Sequence, residues 1–141
     1  MMIDHIAIVV PSLEQAIPHW EKIFGYAPMT SPVVNSRQRV RVVFLAKDGS
    51  LTIKLVEPLD SSSPVSTLAS RGGGLHHLCF RCANLNDEIL RLEEAGIRIL
   101  TPPEPGEAFD NEPIAFAYAG NGLNVELIGT DRKAALLPRK S

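Results

Sequence analysis

The sequence predicts an α+β fold made of two copies of one βαβββ unit. The first observation is an internal repeat at one fixed offset. "IDHIAIVVPSLEQAI" (3–17) aligns with "LHHLCFRCANLNDEI" (75–89), and "SLTIKLVE" (50–57) aligns with "GLNVELIG" (122–129), both at 72 residues. The second is the order of patterns within each copy: a β-branched apolar run, a helical run, then three further strand-like runs. The third is a Ser-, Pro- and Gly-rich stretch between the copies, which reads as a linker. The chain is therefore divided into module one (1–57), linker (58–74), module two (75–129) and a tail (130–141) within a single domain, 1–141.

Taken in order, residues 3–10 read as a strand. Ser12 opens a helix with Gln15 completing a capping box. Leu13, Ala16, Ile17, Trp20, Ile23 and Phe24 follow at helical spacing, Pro18 is expected to kink the run, and Gly25 ends it. Three strands are expected near 26–33, 38–46 and 50–57. The linker contains a short helical stretch, Pro64 to Arg71. Module two repeats the order with a strand at 75–82, a helix at 85–95 closed by Gly96, a short strand near 97–100, and strands at 113–119 and 123–129. The acidic, proline-rich "TPPEPGEAFDNEP" (101–113) is expected to be a mobile loop able to cover a site. The basic tail is expected to fray, with Leu136 and Leu137 as candidates for docking.

Composition limits the function. A length of 141 residues with 45% hydrophobic and 21% charged residues suits one globular core. A net charge of −2 offers no basic field for nucleic acid. No apolar run reaches the ~18 residues of a membrane span. The N-terminus lacks the basic region of a signal peptide, and two cysteines make no disulfide framework, so a cytoplasmic location is expected.

Strand alternation decides which side chains can meet. Ile6, Ile8 and Val10 form the greasy face of the first strand and should pack on helix, leaving His5 on the other face. The same reasoning turns Lys54, His77 and Glu126 away from the helices. His5 and His77 are equivalent in the repeat, as are Lys54 and Glu126. His77 shares its face with Cys79 and Arg81. Cys79 and Cys82 fall on opposite faces and cannot share a metal. Arg37, Arg39 and Arg41 alternate, so they form either an anion-gripping row, with Arg41 nearest the cavity, or a charged edge. His76 points away from His77 and reads as structural. "GGG" (72–74) lacks a following Walker lysine and is a turn.

These residues resemble the vicinal-oxygen-chelate superfamily, which holds glyoxalase I, extradiol dioxygenases, fosfomycin-resistance proteins and methylmalonyl-CoA epimerase. The resemblance spans about 3–129. It is strongest to the epimerase branch in "EPLDSSSPVSTLASRGGGLHHLCFR" (57–81) and "IDHIAIVVPSLEQAI" (3–17). It implies a curved, partly open β-barrel with helices outside, a homodimer, and a divalent metal (Co, Zn, Ni, Mn or Fe) held at His5, His77, Glu126 and the position of Lys54. The family has Gln or Glu at that last position. A lysine ammonium has no lone pair and cannot ligate. The segment "YAGNG" (118–122) and the strand "RVRVVFL" also depart from the epimerase pattern.

Two His and one carboxylate leave open coordination positions, as in catalytic sites. The expected activity is therefore a metal-dependent isomerase or lyase. It would work through an enolate-like intermediate on a small oxygen-rich acid or thioester. Lys54 is the expected base, Glu126 acts as ligand and catalytic carboxylate, and Arg41, Arg81 and Cys79 line the substrate. The same triad is that of non-haem Fe(II) oxygenases, so a dioxygenase is the alternative. A third reading pairs Lys54 with Glu126 as an ion pair, which leaves a metal-free small-molecule binding or resistance protein.

Overall fold

The computed structural model describes residues 1–138. Module one contains β1 (Met2–Val9), α1 (Leu13–Phe24), β2 (Ala27–Pro28), β3 (Val33–Asn35), β4 (Val40–Ala46) and β5 (Thr52–Pro58). The linker forms α2 (Ser66–Ser70). Module two contains β6 (Gly74–Arg81), α3 (Leu85–Glu94), β7 (Arg98–Gly106), a 3-10 turn (Glu107–Phe109), β8 (Glu112–Gly120) and β9 (Leu123–Ile128). The strands join in one continuous sheet, ordered β2-β4-β5-β1-β6-β9-β8-β7, with β3 also on β4. The end strands do not meet, so the result is an α+β curved, open barrel. Among the described residues no helix is long and apolar enough to cross a membrane.

The repeat reproduces the register. β5 lies parallel to β1 with Lys54 opposite Ala7, and β9 lies parallel to β6 with Glu126 opposite Cys79. Phe44 of β4 faces Lys54, and Phe116 of β8 faces Glu126. The modules meet where β1 and β6 run antiparallel, with His5 opposite Cys79 and Ala7 opposite His77. These two pairings exchange under a half-turn, so an approximate two-fold axis passes between β1 and β6.

Alternation along each strand divides the core in three. Val43, Leu45, Ile53 and Leu55 pack with Leu13 of α1, and Val125 and Leu127 pack with Leu85 and Ile89 of α3. The inner cluster draws on both modules: Ala7, Val9, Val42, Phe44, Cys79, Phe109, Ile114 and Ile128. α1 and α3 start on side-chain caps two-fold related to each other, Ser12 accepting from Gln15 N–H and Asn84 from Asp87 N–H. Pro18 does not end α1. It lies on the exposed side, where solvent can satisfy the carbonyl its ring leaves unbonded.

Three expectations change. The strand expected at 26–33 is split into β2 and β3, because Pro28 and Pro32 have no N–H to give the ladder. Residues 101–113 are not a mobile loop. β7 runs on to Gly106 through Pro102, Pro103 and Pro105, which an edge strand tolerates, and the following turn buries Ala108 and Phe109. The tail does not fray over 130–138. Leu137 N–H bonds Met29 O, Ser31 N–H bonds Ala135 O, and Ala134 N–H bonds Ala108 O. This segment fills the interruption between β2 and β3. Residues 139–141 of the tail lie outside the described residues.

Candidate active site

The inner faces of β1, β5, β6 and β9 bring His5, Lys54, His77 and Glu126 together at the two-fold axis. All four are buried, with exposures of 0, 3, 2 and 0%. Glu126 Oε1 is the common point: His5 Nε2 lies 3.2 Å away, His77 Nε2 3.4 Å and Lys54 Nζ 3.7 Å. Phe44, Phe109 and Phe116 enclose the group, with Phe44 edge-on to His5 and Phe116 edge-on to His77. Lys54 Nζ sits over the rings of Phe44 and Phe109.

The Nδ1 atoms are engaged behind the cage. His5 Nδ1 donates to Asp4 Oδ2 at 2.7 Å, and His77 Nδ1 lies 2.7 Å from His76 Nδ1. A carboxylate only accepts, so a neutral His5 ring has its proton on Nδ1 and its lone pair on Nε2. Burial pushes the His77 imidazole down to about 4, which keeps that ring neutral near pH 7. Burial acts to raise the Glu126 carboxyl. Lys54 and the two imidazoles overcome it and hold the group well below the usual carboxylate range.

Metal fit can be judged from these atoms. His5 Nε2, His77 Nε2 and both Glu126 oxygens are buried with no well-aligned hydrogen bond. The His5 Nε2 lone pair faces the Glu126 carboxylate at 3.2 Å, and a cation seated between them relieves that repulsion more directly than the Lys54 ammonium 3.7 Å from Oε1. The two separations from Glu126 Oε1, 3.2 and 3.4 Å, also match a tetrahedral metal, whose ligand atoms stand about 3.3 Å apart at bond lengths near 2.0–2.1 Å. The three residues fit a divalent cation. A second group, Asp4, His5 and Cys79, also brings ligand-type atoms close. It is the weaker site, because Asp4 is already bonded and burial pushes the Cys79 thiol strongly up, leaving it protonated.

Other expected residues fall differently. Cys79 is fully buried in the inner cluster, between β1 and β9, where it packs. Arg81 shares the face of His77, and its guanidinium lies 3.7 Å from Asp4 on the outer side of the cage. Arg41 is not beside the cavity. The inner face of β4 carries Val40, Val42 and Phe44, so Arg41 points outward and lies 3.2 Å from Glu57. Arg37 and Arg39 are in the β3–β4 turn, which removes the expected row. Arg37 instead reaches across to Pro105 O. Four residues of the cage, Phe44, Phe109, Phe116 and Lys133, are absent from the sequence reading of the site. Phe109 was placed in a loop, and Lys133 in a loose tail. Lys133 is 7% exposed, lies 3.1 Å from Asp4, and stands over Phe44 and Phe109.

A cavity of about 180 Å³ opens between the modules, bounded by Asn35, Arg37, Gln38, Glu104, Ile114 and Phe116. Phe116 separates it from His77. A larger one, about 400 Å³, lies at the start of α3 and contains none of the cage residues.

Fold, repeat and site together define a class. The chain belongs to the Glyoxalase/Bleomycin resistance protein/Dioxygenase superfamily, whose family model matches residues 4–116. Within it, the chain is 32% identical to an ethylmalonyl-CoA/methylmalonyl-CoA epimerase of Cereibacter sphaeroides over 129 residues, covering 89% of this chain and 95% of that one. A crystal structure of methylmalonyl-CoA epimerase from Mycobacterium tuberculosis superimposes with a TM-score of 0.81 at 31% identity, over 91% of this chain and 87% of the other. A methylmalonyl-CoA epimerase solved in complex with methylmalonyl-CoA and NH4+ matches with a TM-score of 0.78 at 27% identity, over 97% and 98%.

Proposed function

We propose that this protein is a metal-dependent epimerase of a small malonyl-type CoA thioester, inverting the carbon between two carbonyl groups. The observation that carries the proposal is the convergence of His5 Nε2, His77 Nε2 and Glu126, buried together with no aligned hydrogen bond at these atoms and with the Lys54 ammonium beside them. The relatives support the substrate class, since they are named as methylmalonyl-CoA epimerases. A divalent cation held by His5, His77 and Glu126 supplies Lewis-acid stabilisation of the enolate charge. Glu126 remains an anionic ligand. Lys54 Nζ stands 3.7 Å from Glu126 outside that ligand set; once its ammonium has given a proton to solvent, it would take the proton from the substrate carbon and hold it for return to the enolate. Phe44, Phe109 and Phe116 keep water from the enolate. The 180 Å³ cavity has room for an acyl group rather than a whole CoA, and Phe116 must turn aside for that group to reach Lys54 and the ligand set.

The test joins metal content to proton exchange. Elemental analysis of untagged protein should find near-stoichiometric metal. In D2O the loaded protein should exchange the α-proton of methylmalonyl-CoA, followed by ¹H NMR. His77→Ala should lose both. Protein that takes up no metal on reconstitution and exchanges no proton would refute the proposal and favour Lys54–Glu126 as an ion pair in a binding protein.

A further inference from the structure

The segment after β9 belongs to neither repeat, yet it is pinned at four places: Ala134 to Ala108, Ala135 to Ser31, Leu136 to Thr30 and Leu137 to Met29. What it buries is unexpected for a docked tail. Leu136 and Leu137 stay 61 and 42% exposed, whereas Lys133 is 7% exposed. Its ammonium lies 3.1 Å from Asp4 Oδ2 and within 5.1 and 5.3 Å of the Phe44 and Phe109 ring centres. Those rings pack on His5, at 5.1 and 6.1 Å. Asp4 Oδ2 is also the atom that accepts from His5 Nδ1.

We infer that Lys133 is a positioning residue of the cage: by holding the Asp4 carboxylate it fixes the His5 tautomer and aims Nε2 at Glu126, so the site is complete only with the C-terminal segment docked. A carboxylate buried this deeply needs a counter-charge. The alternative cation, Arg81, is half in solvent and 3.7 Å from the other oxygen, Oδ1. Without Lys133 the carboxylate is free to turn toward Arg81 and water, and His5 loses the acceptor that keeps its proton on Nδ1. Partners of this kind commonly change metal affinity by roughly 10–100-fold. The role in metal binding rests on the proposed function, while the role in orienting His5 does not.

The experiment separates the two. Long-range ¹H–¹⁵N NMR of the metal-free protein reports which nitrogen of His5 carries the proton, and chelator competition reports the Co2+ affinity. The wild type should show the Nδ1–H tautomer. Lys133→Met should give a mixture of tautomers and about 10-fold weaker Co2+ binding. Lys133→Arg, which keeps a cation at Asp4, should restore both. Lys133→Gln in the full chain should match Lys133→Met, and serves if that variant does not fold. A folded Lys133→Met or Lys133→Gln protein that keeps the Nδ1–H tautomer at wild-type proportion would overturn the inference. If the wild type binds no Co2+ at all, the proposed function fails, and the tautomer alone still decides the role of Lys133.

Discussion

Lys54 stands where the superfamily places a ligand oxygen, and it brings a donor and a charge instead. Lys54→Gln replaces the ammonium with a carbonyl oxygen aimed at the same point. It should tighten Co2+ binding by at least ~10-fold in chelator competition. It should also slow α-proton exchange by at least ~100-fold, because the amide cannot carry the proton. His77 gives the acid behaviour of the metal-free protein. The unfolded ring takes a proton near pH 6.5, and burial lowers that to about 4 in the fold. Between these values the unfolded chain binds more protons. Stability is therefore full above pH 6.5 and falls as pH drops toward 4, by about 3 kcal/mol. Urea titrations across that range should show the decline, and His77→Gln should flatten it. His5, Lys54, His77 and Glu126 were legible because offset and alternation point the same way. Arg41 was misread because β4 is apolar on both faces from Val42 onward, so a period of two does not say which face is inner. Lys133 left no local signal, since its partner Asp4 lies at the opposite end of the chain.

Helices and the inner strands β1, β4, β5, β6, β8 and β9 were legible from caps and periodicity, for these depend on neighbours in sequence. The strand breaks were not. Whether a proline ends a strand depends on whether its missing N–H faces a partner or solvent, and only the sheet order decides that. The linker carries the tightest backbone contact. Gly73 has φ +91°, and a Cβ there would stand 2.2 Å from Val9 O. Val9 is the last residue of β1, and Gly74 opposite it opens β6. Gly73→Ala should thus push the two central strands apart at their shared end. A loss of more than about 2 kcal/mol in chemical denaturation is expected, whereas Gly72→Ala, with open space around it, should cost less.

Because β1 and β5 supply His5 and Lys54 while β6 and β9 supply His77 and Glu126, neither module holds a site alone. A cation bound by both should brace the β1–β6 junction. Co2+ at a thousand times its Kd should add about 4 kcal/mol to stability, and calorimetry with His5→Ala should show none of that gain. The repeat made the two-module plan readable from the sequence, but not the closure of the barrel mouth by the 3-10 turn and the C-terminal segment. The two-fold axis relates the histidines to each other and Phe44 to Phe116, while its third pair is unlike, with a cation at Lys54 and an anion at Glu126. The cage therefore has an electrical direction that its scaffold lacks. With a divalent cation held on the Glu126 side the two poles still differ, a metal charge against a single ammonium, so an anionic acyl group entering it lies in a single orientation although the surrounding walls are nearly the same in both.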